Sequence, residues 1–184
     1  MSLFDRIETD RLYLQTLNEN DAESMLEYHS DPIVTRHIPW PIRNLAMVKE
    51  ALAKYMTFKD LLKEDDYLML GVYRKEDGQL VGQVNAMYRS ENNKLAEFGY
   101  VVNPRFGKHG YATEAVRGLI NALFASGKFH RVMARMDARN AASAALCTRL
   151  GLRLEAHHLQ DDWFKEEWTD TYIYAILKDE WDKR

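Results

Sequence analysis

The stretch Glu97-Phe98-Gly99-Tyr100-Val101-Val102-Asn103-Pro104-Arg105-Phe106-Gly107-Lys108-His109-Gly110-Tyr111-Ala112-Thr113-Glu114-Ala115 decides how the rest of this chain is read. It begins as a strand, passes through a loop holding two glycines and opens a helix. Gly107 and Gly110 let the loop backbone come close to a ligand, because neither carries a side chain. The first amides of the helix that follows have no partners inside it, so this end of the helix favours a phosphate. A structural turn that uses its glycines only to turn would look the same. The patterns GxxxxGK[ST] and GxGxxG are both absent, so neither of those nucleotide-binding loops is present.

On the C-terminal side the chain alternates. A helix is expected from about Tyr111 to Ser126, a strand at Arg131–Asp137 and a helix from Ala141 to Leu150, then strands near Leu152–Leu159 and Thr169–Leu177. On the N-terminal side Leu12 and Leu14 alternate in a first strand. Ala22, Met25, Leu26 and His29 mark a short helix that Asp31-Pro32 stops. A helical stripe of Leu45, Val48, Ala51, Leu52, Tyr55, Met56 and Leu62 predicts a helix over Asn44–Lys63. Two strands at Tyr67–Tyr73 and Leu80–Tyr88 are joined through Asp77-Gly78, a hairpin signal. Strand and helix alternation implies parallel pairing in at least part of the sheet. The fold class is α/β, with one domain over 1–184.

Composition agrees. The 184 residues carry 25 Lys+Arg and 28 Asp+Glu, and a net charge of −3 argues against a nucleic-acid binder. Hydrophobic residues at 46% and charged residues at 29% exclude a disordered chain. The single Cys147 rules out an internal disulfide or a multi-cysteine zinc site, which suits the cytoplasm. The opening Met1-Ser2-Leu3-Phe4-Asp5-Arg6 reaches charge before any apolar run, so neither a signal peptide nor a membrane partner is expected. Oligomeric state is not written in the sequence.

A second informative segment runs from Asp137 to Leu152. Asn140 is placed to cap a helix that Gly151 closes, Ser143 lies in the first turn and Cys147 follows four residues later on the same face. Ser143 read alone is equally a helix-start serine, and Cys147 a small core residue.

Taken together, these segments resemble the GNAT N-acetyltransferase superfamily, in particular its Rim-type branch that acetylates the N-terminal amine of ribosomal proteins. The resemblance extends along nearly the whole chain. It is carried by Ile7-Glu8-Thr9-Asp10-Arg11-Leu12-Tyr13-Leu14, Gly78-Gln79-Leu80-Val81-Gly82, Gly110-Tyr111-Ala112-Thr113-Glu114-Ala115, Asn140-Ala141-Ala142-Ser143, Leu150-Gly151-Leu152-Arg153-Leu154-Glu155, Trp168-Thr169-Asp170 and Glu180-Trp181. It implies a GNAT fold whose mixed, mostly antiparallel sheet has six to seven strands flanked by about four helices. It also implies acetyl-CoA as donor, with no metal.

By the same resemblance the pyrophosphate takes the loop of Arg105, Gly107, Lys108, His109, Gly110, Tyr111, Ala112 and Thr113. Gly107 stands where the family usually has Gln or Arg. Pantetheine lies along Tyr100-Val101-Val102, with Asn140 bonding its arm and a backbone N–H near Val102 polarising the thioester. Glu97 is the candidate base, acting through water, and Ser143 the candidate acid for the leaving thiolate; a solvated strand-end charge is the other reading of Glu97. Trp40, Trp163, Phe164 and Trp168 fall in segments that surround the acceptor entrance in the family. Asp161-Asp162 and Glu166-Glu167 beside them suit a cationic amine or a plain solvated loop. The expected acceptor is a protein N-terminal amine. The alternatives are a small amine such as a polyamine, amino acid or antibiotic, and a CoA-responsive module without turnover. His157-His158 does not read as a metal pair, because strand neighbours face opposite ways.

Overall fold

The computed structural model describes residues 3–184, so the reading of Met1 and Ser2 lies outside it. The chain forms β1 (Arg6–Glu8), β2 (Leu12–Gln15), α1 (Ala22–His29), α2 (Pro32–Thr35), α3 (Leu45–Tyr55), β3 (Tyr67–Arg74), β4 (Leu80–Ser90), β5 (Leu95–Val102), α4 (Tyr111–Ala125), β6 (Arg131–Asp137), α5 (Ala141–Arg149), β7 (Arg153–Phe164), β8 (Glu167–Leu177) and α6 (Lys178–Trp181). One sheet takes the order β1-β2-β3-β4-β5-β6-β8-β7. Every neighbouring pair is antiparallel except β5 with β6. The α/β fold with a mixed, mostly antiparallel sheet is as expected, but among the described residues the sheet has eight strands and the α-helices number six.

The differences have local causes. Strand β1 is only three residues long, too short for a period-two pattern to show. Helices α2 and α6 are single turns of four residues. The helix expected to reach Lys63 stops at Tyr55, where Thr57 Oγ1 donates to Lys54 O and the chain turns so that Phe58 O accepts from Met69 N. Past that point Leu61 is buried and Leu62 is 68% exposed, so Leu62 extended the apolar spacing by chance. The last two strands, expected near Leu152–Leu159 and Thr169–Leu177, run on to meet in a hairpin whose turn Lys165 and Glu166 make at φ 50° and 68°. Non-glycine residues in the left-handed region give no hairpin signal in sequence.

Alternation along the strands sorts the core onto two faces. Phe98 packs with α4 and α5 residues such as Val116, Leu119 and Leu146, whereas Val101 packs with Met25, Tyr28 and Leu52 of α1 and α3. Burying each large side chain stabilises the fold by about 1.5–3 kcal/mol. Gly82 lets β4 and β5 meet closely, since a Cβ there would stand 2.3 Å from Val101 O.

The feature that positions the site is an opening in the sheet. Among the described residues β5 and β6 pair only at Leu95, Ala96 and Glu97 with Arg131, Val132 and Met133. Both strands continue, to Val102 and Asp137, without pairing. Parallel strands that diverge leave backbone N–H and C=O groups facing a gap, which calls for an extended polar partner.

Candidate active site

The loop after β5 is built as its sequence suggests. Asn103 is buried, accepting from Arg105 N at 3.0 Å and donating to Glu27 Oε2 at 2.8 Å, and Pro104–Phe106 forms one 3-10 turn. Gly110 sits at φ 79°, a conformation that costs other residues, and precedes α4 with no side chain capping that helix. The leading amides of a 15-residue helix therefore face the loop. Lys108 (φ 64°) and His109 are exposed; Ala112 and Thr113, in the first turn, are half-buried. Arg105 is exposed, 3.5 Å from Glu27, and Tyr111 turns its ring into the core.

Sequence reasoning assigned no role to Arg11, which the fold brings to this loop. Its guanidinium donates to His109 O at 3.0 Å, pairs with Glu114 at 2.6 Å and lies 4.8 Å from the centre of the Tyr111 ring. The signal was its place beside Thr9 and Asp10 in the first resembling segment.

The gap between β5 and β6 holds a small cavity of 110 Å³. Phe98 and Tyr100 line it from β5, Ala134 and Met136 from β6, and Asn140 and Ser143 from the start of α5. Asn140 Oδ1 accepts from Ser143 N at 3.1 Å, so it caps α5 as its position suggested. Tyr100 and Ser143 hydroxyls are 3.1 Å apart. Burial raises the Tyr100 phenol above its ordinary range and the Ser143 hydrogen bond opposes this, which leaves a protonated hydroxyl able to donate. Cys147 also borders the cavity, but burial pushes its thiol up to about 12, so it is not a thiolate at neutral pH.

On the opposite face of β5 lies a larger cavity of 480 Å³, lined by Glu97, His37, Asp137, Trp163, Phe164 and Lys165 among others. Glu97 is the last β5 residue paired to β6, so its carboxylate stands at the apex of the opening. Burial raises its pKa, with Arg89 and Arg135 acting against that. Arg89 Nε lies 3.1 Å from Oε2, yet the alignment is too poor for a hydrogen bond and the buried oxygen accepts none. A desolvated carboxylate of this kind takes up a proton more readily than an exposed one.

Asp137 and His37 were not picked out from the sequence as functional. Asp137 Oδ2 is 3.3 Å from His37 Nδ1 and 2.7 Å from the Arg139 guanidinium. Burial would raise Asp137, but hydrogen bonds from Arg139 and His37 hold it down to about 2. His37, Arg135 and Met136 border both cavities.

The three tryptophans separate. Trp163 and Trp168 meet edge to face at 5.2 Å at the hairpin tip, both 58% exposed, and Trp163 lines the larger cavity. Trp40 instead stacks on the buried His29 at 4.9 Å, with Arg43 on its ring. Of the acidic run, Asp161 pairs with Arg135 and Glu167 with Arg139. Among the described residues no group of three His, Cys, Asp or Glu side chains could hold a metal, and no helix is long and apolar enough to cross a membrane.

Residues 11–153 match the family described as an acetyltransferase (GNAT) domain. The chain is 27% identical over 176 residues to the uncharacterized N-acetyltransferase YoaA of Bacillus subtilis, covering 96% of this chain and 98% of that one. It is 22% identical over 182 residues to the [ribosomal protein uS5]-alanine N-acetyltransferase of Escherichia coli, covering 96% and 92%. The crystal structure of a GNAT-family acetyltransferase from Bacillus anthracis superposes with a TM-score of 0.85 at 27% identity, covering 95% of this chain and 99% of that chain.

Proposed function

This chain belongs to the GNAT acetyltransferase family, with acetyl-CoA as its acetyl donor, and from that premise we propose that its acceptor is the α-amino group of a protein or peptide. The observation that carries the reading is the placement of Glu97 at the apex of the β5–β6 opening, with Tyr100 and Ser143 behind it on the other face. A proton acceptor and a pair of proton donors flank a place where two cavities adjoin.

The donor contributes a thioester carbonyl and a thiolate leaving group. The diverging backbone of β5 suits its extended amide-bearing arm, and the uncapped amides of α4, with Arg11, Lys108 and His109 near them, suit a pyrophosphate. A backbone N–H near Val102 polarises the carbonyl. Asn140 uses its carbonyl oxygen to cap α5, which leaves its amide N–H groups to bond the arm.

Attack needs a neutral amine. An α-amino group, with an ordinary pKa of about 7.7–8.0, gives up its proton far more readily than a lysine at about 10.4, so a carboxylate with a raised pKa suffices as base. Glu97 receives that proton directly or through water. Tyr100, oriented by Ser143, protonates the departing thiolate. The relation to the uS5-alanine enzyme supports a peptide acceptor, and the open mouth walled by Trp163 and Phe164 suits an extended peptide end. We place the enzyme in the cytoplasm as one catalytic domain over 1–184.

The test is thiol release from acetyl-CoA with a panel of short peptides, matched peptides blocked at the N-terminus, and spermidine. Acetylation of the free peptides at the α-amine, with the blocked ones inert, is expected. A clear preference for spermidine over every peptide would overturn the acceptor assignment.

A further inference from the structure

We propose that His37 and Asp137 form a second proton-accepting pair for the acceptor amine, with His37 Nε2 as the atom that meets it. This rests on the acetyl-transfer reading above, and it adds a residue that the sequence did not single out. His37 follows α2, 100 residues from Asp137 at the end of β6.

Asp137 is well built to orient an imidazole. Its side chain is only 6% exposed, Arg139 N donates to Oδ1 at 2.8 Å, and the Arg139 guanidinium donates to both oxygens. With Asp137 fixed as a carboxylate, the ring nitrogen 3.3 Å from Oδ2 carries the proton, so neutral His37 is the Nδ1–H tautomer. The lone pair is then on Nε2, the nitrogen Asp137 does not engage.

Location completes the argument. His37 borders the cavity of Tyr100 and Ser143 and also the cavity of Glu97, so it stands where an amine from one side would reach a thioester from the other. As the N–C bond forms and the C–S bond breaks, the amine loses one proton and the thiolate gains one. Glu97 having taken the proton of the ammonium form, His37 Nε2 takes the proton that the attacking amine sheds as the N–C bond forms, and the phenol of Tyr100 supplies the thiolate. Asp137 contacts the ring directly, and the other charged or titratable groups lining the two cavities that His37 borders are Arg135 from β6, Glu97 and Tyr100 from β5, Asp162 and Lys165 from the β7–β8 hairpin, and Cys147 from α5. Lys165 Nζ donates to Thr35 O, so the hairpin tip already ties down the segment carrying His37, and the dyad is not needed as a clasp.

His37→Gln keeps a side chain able to donate to Asp137 but removes the basic nitrogen. We expect kcat/KM to fall about 100-fold at pH 7, the deficit to narrow at high pH as hydroxide takes over as base, and imidazole in the buffer to restore part of the rate. A pH profile matching wild type would overturn the proposal. A second measurement needs no substrate. Nitrogen-15 spectra of the imidazoles, with His37 assigned by its loss in His37→Gln, should show the Nδ1–H tautomer, changing to a mixture in Asp137→Asn. An Nε2–H tautomer in the wild type would overturn the dyad. If the wild type acetylates no amine, the acceptor reading fails while the tautomer still decides this inference.

Discussion

Tyr100 and Ser143 are 43 residues apart in sequence, yet their hydroxyls lie 3.1 Å apart across the opening between β5 and α5. Each was assigned a role from the sequence, but separate ones, the tyrosine beside the pantetheine arm and the serine as acid. Their contact suits one proton-donating unit. A phenol is a stronger acid than an aliphatic hydroxyl, so in the proposed mechanism Tyr100 is the donor and Ser143 the group that holds it in line.

That division predicts unequal effects. Tyr100→Phe should lower kcat about 100-fold with acetyl-CoA affinity little changed, because an interaction made only in the transition state is lost. Ser143→Ala should cost less, about tenfold, and the double variant should fall no further than Tyr100→Phe alone. Steady-state kinetics on the three variants check this. A larger loss for the serine would return the acid role to it.

Glu97 gives a prediction in both rate and stability. Its pKa is raised by burial, so the native state favours the protonated form. Stability from that preference is present below the unfolded carboxyl pKa and is lost as pH rises through the raised one. Glu97→Gln should therefore leave Tm unchanged in acid and raise it at neutral pH, while lowering kcat/KM there. Activity of the variant should recover as pH rises and the amine loses its proton without help. Thermal denaturation and rates across a pH series read both effects.

Asp137 has the opposite sign. Held down to about 2 against an ordinary value of 3.8, it adds stability above the unfolded pKa that disappears as pH falls toward 2. A shift of this size corresponds to about 2 kcal/mol, since each unit is about 1.4 kcal/mol. Asp137→Asn should be destabilised by up to that amount at pH 7 and converge on wild type in acid. Urea melts at the two pH values test it.

Much of this was legible in advance because two devices write themselves into sequence. Gly110 at φ 79° and the Asn140 cap of α5 are local requirements, readable from neighbouring residues. Long-range juxtaposition is not local. The His37–Asp137 pair spans 100 residues, and Arg11 reaches the loop at His109 across 98. No spacing rule connects such positions. Even the β7–β8 turn hid itself, because Lys165 and Glu166 adopt positive φ without glycine or asparagine to announce it.

The acceptor itself is tested most simply by salt. Four carboxylates, Asp161, Asp162, Glu166 and Glu167, looked from the sequence like a field that would draw a polycation, but the fold reduces it. Asp161 is 3.3 Å from Arg135 and Glu167 is 2.7 Å from Arg139, while Lys165 and Arg135 line the same cavity as Glu97, Asp137 and Asp162. Charges of both signs within a Debye length of about 8–10 Å largely cancel at longer range. A peptide α-amine near its pKa has little to gain from steering, so kcat/KM for a peptide should change by less than about twofold between 0.05 and 0.5 M salt. Arg135→Ala would leave Asp161 without its ion pair and deepen the negative field, and should raise both the efficiency and the salt sensitivity toward spermidine while leaving peptide rates nearly flat. Wild-type turnover of spermidine at least about tenfold better than of any peptide, with steep suppression by salt, would mean that the remaining negative charge does recruit a polycation, and the small-amine assignment would replace the peptide.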